Sequence, residues 1–281
     1  MAVASAQGEA NDARSRVNCE EPTRLVQLGT VKEVAAFQDE LLAGKRHVYD
    51  PETLAESPPL SAKPAPSTKT NRYAEVAGGF GLVVADGMPL VENADTQESV
   101  QKPQIPCNAG GTFAYSLSQT GRFLICNSNR SGISVIDLRA PPPKTGFPWT
   151  ELGEGTFLSP NDEYVVRVPV IDWGTGEPTT QDVVHVDLDS KRSKKIAPAP
   201  LQRLHEENPV LPANPYSVAF CADGSIFVAS AGREVAVFRG RDGSRLASAP
   251  SMKGGTVSFS ASGRYVSQTR GNETTIFRLE M

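Results

Sequence analysis

Three histidines, at positions 47, 185 and 205, are the only imidazoles in the chain. Any metal or general-base chemistry that needs histidine therefore rests on very few residues. The most suggestive set is His185, Asp187 and Asp189, which alternate with Val184, Val186 and Leu188. On a strand this alternation sends all three side chains to one face. An imidazole and two carboxylates are suitable donors for a divalent metal. The same alternation also describes a half-buried strand that ends in the polar turn Asp189-Ser190-Lys191. That second reading is preferred, so no metal and no cofactor is expected. His205-Glu206-Glu207-Asn208-Pro209 lacks the second histidine of a zinc-protease helix, and neither G-x-S-x-G nor a phosphate-binding Walker loop occurs. Ala77-Gly78-Gly79-Phe80-Gly81 has no strand–turn–helix context and reads as a turn that spares backbone room. The basic run Lys191-Arg192 with Lys194-Lys195 reads as a solvated hairpin tip.

Residues suited to binding are more plentiful than residues suited to catalysis. Loop 140–150 carries Phe147 and Trp149 among prolines, loop 171–181 carries Trp173, and loop 201–216 carries Arg203, His205 and Tyr216. Aromatic and arginine side chains are the residue types enriched at interface hot spots. A backbone stiffened by proline loses less entropy on docking. These six residues are the candidate partner-binding set. The competing reading of Trp149 and Trp173 is that each fills a gap inside the fold.

Several elements must position these loops. Residues 1–22 are polar, without periodicity, and read as a flexible N-terminal segment. Residues 23–72 read as an N-terminal extension. Within it the spacing predicts a helix over 30–44: Thr30 and Glu33 have capping-box spacing, Val31, Val34, Phe37, Leu41 and Leu42 make one apolar stripe, and Gly44 can end it. A Pro/Ser/Lys-rich linker follows over 57–70. From residue 73 to 281 strand patterns rich in Val, Ile, Phe and Thr take over.

One pattern recurs within this region: a strand, a tight turn, a second strand, a hairpin and a third strand. Its turns are Ser118-Gln119-Thr120-Gly121, Ser159-Pro160-Asn161-Asp162, Cys221-Ala222-Asp223-Gly224 and Ser260-Ala261-Ser262-Gly263. The final residues of the four turns lie 41, 62 and 39 residues apart. Two intervals match the roughly 40–45 residues of a four-stranded blade, and the long one holds insertions at 171–181 and 197–214. These copies resemble the WD-like repeats of bacterial β-propellers, in which Ser-Pro-Asp-Gly or a worn form of it links the first two strands. The resemblance covers about residues 110–281, and the Trp-Asp dipeptide is absent. It implies an all-β, propeller-like fold of about five blades, within a range of four to six, because one blade cannot bury both faces alone. A further hairpin at 73–92 and N-terminal residues are available to complete it. The alternative is an irregular β-sandwich.

The composition fits an ordinary soluble globular protein: 281 residues, 39% hydrophobic, 21% charged and net charge −4. An acidic chain argues against a general nucleic-acid binder, and no apolar run is long enough to span a membrane. Small residues at Ala4 and Ala6 look like the end of a removed signal peptide. The even set Cys19, Cys107, Cys126 and Cys221 suits an exported protein. Cys19 and Cys107 lie in polar surroundings and are the expected bridge, with Cys126 and Cys221 as buried thiols. The expected function is a non-catalytic protein-binding module of the bacterial cell envelope, periplasmic or secreted and monomeric when free. A concrete form is an immunity or inhibitor protein that blocks a secreted toxin enzyme, and an envelope-complex component fits equally well. The alternatives are a metal-dependent hydrolase or lactonase of the propeller type and a glycan- or peptide-binding propeller.

Overall fold

A computed structural model of the chain describes residues 19–58, 74–85, 88–101, 113–128, 132–140, 150–153, 155–168, 182–198, 217–231, 234–251 and 255–281. They contain β-strands and turns and no helix. Strand β1 spans Arg24–Val31. Strands β2–β5 span Ala35–Gln38, Leu41–Gly44, Val48–Tyr49 and Glu56–Ser57. Strands β6–β9 span Glu75–Ala77, Phe80–Ala85, Met88–Asn93 and Ser99–Gln101. Strands β10–β13 span Phe113–Leu117, Phe123–Ser128, Gly132–Asp137 and Thr150–Gly153. Strands β14–β17 span Thr156–Leu158, Tyr164–Arg167, Asp182–Asp187 and Ser193–Pro198. Strands β18–β21 span Ser217–Phe220, Ile226–Ala231, Glu234–Arg239 and Arg245–Pro250, and β22–β24 span Thr256–Phe259, Tyr265–Arg270 and Glu273–Glu280.

These strands form six four-stranded sheets. Five are meanders of consecutive strands, and the sixth has the order β1-β24-β23-β22. In that sheet β1 runs antiparallel to β24 from Arg24↔Glu280 to Val31↔Thr274, with an irregularity between Gln27 and Gly29. The fold is therefore all-β and built from propeller-like blades, six among the described residues, at the upper end of the expected range. Described by contact, the chain makes two compact units. One holds Met1–Leu60, Val218–Gly240 and Ser244–Met281, and the other holds Ser61–Ser217 and Arg241–Gly243. Each unit has its own apolar interior. In the first, Leu25, Ile226, Val228, Val235, Val266 and Phe277 cluster with Cys19 and Cys221. In the second, Leu82, Val91, Leu117, Leu124 and Ile136 form one cluster, and Phe123, Val135, Leu152, Val165 and Leu188 form another.

The helix expected over 30–44 is replaced by the end of β1, all of β2 and all of β3. Asp39 and Glu40 form a two-residue turn, with Asp39 in a left-handed conformation (φ 55°) and Gln38 paired with Leu41. The stripe does not form one buried face: Val34 is 54% exposed and Leu41 36%, whereas Val31 and Leu42 are buried. Glu33 does not cap Thr30. Its carboxylate accepts hydrogen bonds from the Arg46 amide (2.6 Å) and the Tyr49 hydroxyl (2.9 Å). The Thr30 hydroxyl faces that of Thr275 instead, at 3.1 Å. Helix propensity is a weak prior, and the long ladder that β24 offers to β1 outweighs it.

The four recurring turns share one geometry. The first residue's amide donates to the carbonyl five residues on: Ser118 to Phe123 (2.9 Å), Ser159 to Tyr164 (3.0 Å), Cys221 to Ile226 (3.1 Å) and Ser260 to Tyr265 (3.0 Å). The fourth residue's amide returns to the first residue's carbonyl at 2.8–3.0 Å in all four. The fourth residue has positive φ each time: Gly121 at 71°, Asp162 at 60°, Gly224 at 71° and Gly263 at 72°. Glycine adopts that conformation at little cost, and aspartate is among the few other residues that tolerate it. At three of the turns the serine hydroxyl also accepts the amide of the fifth following residue: Phe123 (2.9 Å), Tyr164 (3.1 Å) and Tyr265 (3.2 Å). The glycine pair 78–79, read from sequence as a turn, joins Ala77 to Phe80 with φ of 55° and 82°. A Cβ on Gly78 would lie 2.0 Å from the carbonyl oxygen of Thr120, so this turn and the Ser118–Gly121 turn touch backbone to backbone.

Candidate functional site

The six aromatic and basic residues expected to bind a partner, Phe147, Trp149, Trp173, Arg203, His205 and Tyr216, lie outside the described residues. So does Cys107.

His185, Asp187 and Asp189 are described, and they have separate surroundings. His185 is buried in β16 and stacks on Tyr164 with ring centroids 4.9 Å apart. Gly243 lies against its ring, where a Cβ would come within 3.0 Å of the His185 Cβ. Asp187 ends the strand and accepts the Ser190 amide at 2.6 Å. Hydrogen bonds from Ser190 hold the Asp187 carboxyl below its ordinary range. Asp189 is exposed in the following turn and pairs with Arg122 Nη2 at 2.7 Å. The basic tip behaves as a solvated hairpin: Lys191, Arg192, Lys194 and Lys195 are exposed, and Lys195 pairs with Asp182 at 2.6 Å.

The expected Cys19–Cys107 bridge is corrected. Cys19 pairs with Cys221, 202 residues away, with Cα atoms 6.4 Å apart. Cys126 is disulfide-bonded as well, not a free buried thiol. The reason is tertiary: the polar surroundings of Cys19 are those of a segment laid against the Cys221 turn. The Cys19 amide donates to Asp223 Oδ2 at 2.9 Å, and the Ser225 hydroxyl donates to the Cys19 carbonyl at 3.1 Å. A signal was present in the sequence. Cys221 occupies the position held by serine in the other three turns, so a thiol stands where the repeat uses a hydroxyl.

In the second unit the turn at Asp162 is a polar junction. The Asp162 carboxylate, 1% exposed, accepts the hydroxyls of Ser118 and Thr120, the latter at 2.6 Å. Its other oxygen, Oδ1, is buried without a hydrogen-bond partner. Arg122 closes the junction, donating to the Asp162 carbonyl (3.2 Å), Asp137 (3.1 Å) and Asp189 (2.7 Å) while lying 4.7 Å over the Phe123 ring. Burial pushes the Asp162 carboxyl up, and the two hydroxyls and Arg122 pull it partly back. The junction fastens the Ser118 and Ser159 turns to each other.

The first unit offers an accessible site. A groove of about 420 Å³ is lined by Glu40, Leu41, Asp50, Pro51, Glu52, Ser262, Arg264 and Tyr265. It lies between the β2–β3 turn, the turn after β4 and the repeat turn before β23. Glu40 takes the Ser262 amide (2.5 Å) on one oxygen and the Ser262 hydroxyl (2.6 Å) on the other. The Asp39 carbonyl accepts the Ala261 amide beside it at 2.9 Å. Asp50 forms an Asx turn, its Oδ1 accepting the amides of Glu52 (3.0 Å) and Thr53 (2.8 Å) and the Thr53 hydroxyl (2.9 Å). These bonds hold the Asp50 carboxyl below its ordinary range. Glu52 accepts the Tyr265 hydroxyl (2.8 Å) and Arg278 Nη1 (3.1 Å). Partial burial and then the Glu52 hydrogen bond push the Tyr265 phenol up to about 12, and Phe37 stacks on its ring at 6.3 Å. Arg264 is exposed and makes no ion pair among the described residues. Sequence reading missed this groove because Glu40 and Ser262 lie 222 residues apart and meet only in the fold.

No protein-family model matches the chain, and no curated protein does. Solved structures do resemble it. The β-propeller domain of Cps50 (Swd1) from Myceliophteria thermophila aligns over 87% of this chain and 96% of its own, with 13% identity and a TM-score of 0.43. Hsv2 from Kluyveromyces lactis aligns over 87% and 71%, with 11% identity and a TM-score of 0.41. A second structure of the Kluyveromyces lactis protein covers 84% and 70%, with 12% identity and a TM-score of 0.42.

Proposed function

We propose that this chain is a non-catalytic protein-binding module that works in an oxidising compartment. The observation that carries the binding half is the groove at Tyr265. Glu40, Asp50, Glu52, Ser262 and Tyr265 are already fixed there by internal hydrogen bonds, so a partner docking on them would immobilise few rotamers and lose little entropy. The compartment half draws support from the Cys19–Cys221 disulfide and the second bonded cysteine, Cys126. Structural disulfides persist in secreted and periplasmic proteins and are rare in the cytosol. One form of this reading is an inhibitor that covers the active site of a secreted enzyme; a subunit of an envelope complex is the other.

The test is co-isolation from the cells that make the protein, reconstitution of the captured protein with the purified full-length chain, and titration calorimetry. A saturable complex of fixed stoichiometry is expected, formed by oxidised protein. A stoichiometric divalent metal in the purified chain together with hydrolytic turnover would overturn the non-catalytic reading.

A further inference from the structure

Strand β1 is thinly seated. Only two of its eight residues, Leu25 and Val31, are buried, whereas five of the eight in β24 are. It lies at the edge of its sheet with β24 as its one neighbour there, and the irregularity between Gln27 and Gly29 interrupts their ladder. The segment that enters β1 carries the stronger fastenings. Cys19 is bonded to Cys221, its amide donates to Asp223 Oδ2 (2.9 Å), and its carbonyl accepts the Ser225 hydroxyl (3.1 Å). Glu21 takes Arg239 Nε (2.6 Å) and Nη2 (2.5 Å), and the Thr23 amide donates to the Glu280 carbonyl at 2.8 Å. An ion pair this exposed contributes little, so the covalent bond is the main anchor. Leu25 packs in the same cluster as the two cysteines, which ties that anchor to the strand itself.

We propose that the Cys19–Cys221 bond is a redox-sensitive latch on β1. Oxidised, it keeps the strand on β24. Reduced, β1 parts from β24 while the other strands stay folded, which leaves a three-stranded sheet. The reductant is a dithiol. One of its thiolates attacks the sulfur of Cys19, the less buried of the two cysteines, and Cys221 leaves as a thiolate and takes a proton. The second thiol of the reductant then displaces Cys19 and closes the reductant's own disulfide, so two electrons and two protons pass to the protein. With the bond in place, an opened β1 stays held both at Cys19 and at β2, and opening gains little chain freedom. Without it only β2 holds, and the gain grows. The freed β24 edge presents unpaired N–H and C=O groups to any incoming strand, a surface that the oxidised form hides. None of the groove's lining residues belongs to β1, so this inference stands apart from the protein-binding reading.

The test is backbone amide hydrogen exchange of the full-length chain, comparing the oxidised natural protein with C221S. That substitution opens this bond alone and gives the turn the serine that the other three hold at the same place. In the oxidised natural protein the β1 amides should exchange at rates comparable to those of β19, β20 and β23. In C221S they should outrun those three strands by at least about tenfold, the mark of a strand that opens separately. Adding a dithiol to the natural protein should open the same gap, and reoxidation should close it. If β1 keeps pace with the other strands in C221S or after dithiol treatment, or already outruns them in the oxidised protein, the proposal is overturned. C19S serves if C221S does not fold. If neither variant folds, β1 does not part on its own and the proposal fails.

Discussion

Asp162 stands where the three equivalent turns have glycine, so D162G restores the repeat's own residue and sets two effects against each other. A left-handed aspartate costs roughly 1–2 kcal/mol over glycine, and the extra freedom of glycine in the unfolded chain returns about 0.5–1 kcal/mol of that. Relief of backbone strain is therefore worth at most about 1.5 kcal/mol. Against it stand the hydroxyls of Ser118 and Thr120, which lose their shared acceptor. Hydrogen bonds to a charged group are worth roughly 1.5–3 kcal/mol each, offset by about 1–3 kcal/mol for no longer burying Oδ1 unpaired. The balance predicts that D162G lowers stability by about 2 kcal/mol, read as a shift in the denaturation midpoint at constant slope. D162N separates charge from hydrogen bonding, since asparagine tolerates the same backbone and keeps one acceptor oxygen. The Asp162 carboxyl is raised by burial above its ordinary 3.8, so the folded state holds that proton more tightly than the unfolded state. The linked stability is present below pH 3.8 and is lost as pH rises through the folded value. D162N should therefore gain on the natural chain as pH rises through that window and keep its advantage above it. A D162G protein as stable as the natural one would refute the reasoning and show that the carboxylate is only tolerated at this turn.

Replacing Cys19 by serine opens a loop of 202 residues and should cost about 5 kcal/mol on the chain-entropy account, or about 2–4 kcal/mol if the unfolded chain keeps structure. Denaturant titration of C19S beside the oxidised natural protein would read it, and equal midpoints would refute it. A Cβ on Gly263 falls 2.6 Å from Cys221 Sγ and 2.8 Å from Cys19 Sγ at a φ of +72°. G263A should then lose more than about 2 kcal/mol, and less in a C19A/C221A background; full additivity in a double-mutant cycle would break the link to the sulfurs. The Tyr265 phenol is raised from 10.0 to about 12, by burial first and Glu52 second. Stability from that proton is present below pH 10 and lost towards pH 12. E52Q should lower the tyrosinate titration seen in ultraviolet absorbance, and an unchanged curve would mean that Glu52 does not sense the phenol.

What could be read in the sequence follows from how local its cause is. The four turns were legible because a left-handed backbone at a fixed place selects Gly, Asn or Asp, and the structure gives all four one geometry. The short strands β2 to β5 were not. Over 30–44 the apolar residues satisfy a helical period; residues 30 and 31 are drawn into a strand by pairing with distant β24, and the two-residue turn at Asp39 pairs β2 with β3. The metal-like spacing of His185, Asp187 and Asp189 was legible as a pattern, but a packed ring, a turn and an ion pair claim the three groups separately. The groove needed residues more than 200 positions apart, which no local pattern can announce.

The turns that look alike are held by unlike devices. At Ser118 and Asp162 a buried carboxylate takes two hydroxyls; at Cys221 a disulfide replaces the hydroxyl bond; at Ser262 the exposed Glu40 grips an amide and a hydroxyl. Stacked repeats depend on the interface each makes with its neighbour, and worn repeats no longer share one interface chemistry, so each contact has its own fastener. A buried fastener such as Asp162 can only stabilise. Glu40 is different, because it fastens the Ser262 turn from the solvent side while its charge faces the groove. The glutamine isostere keeps an oxygen for one Ser262 donor and removes only the charge. Fastening and recognition at that residue are therefore separable by one substitution, which is the condition under which a structural contact can also serve as a binding site.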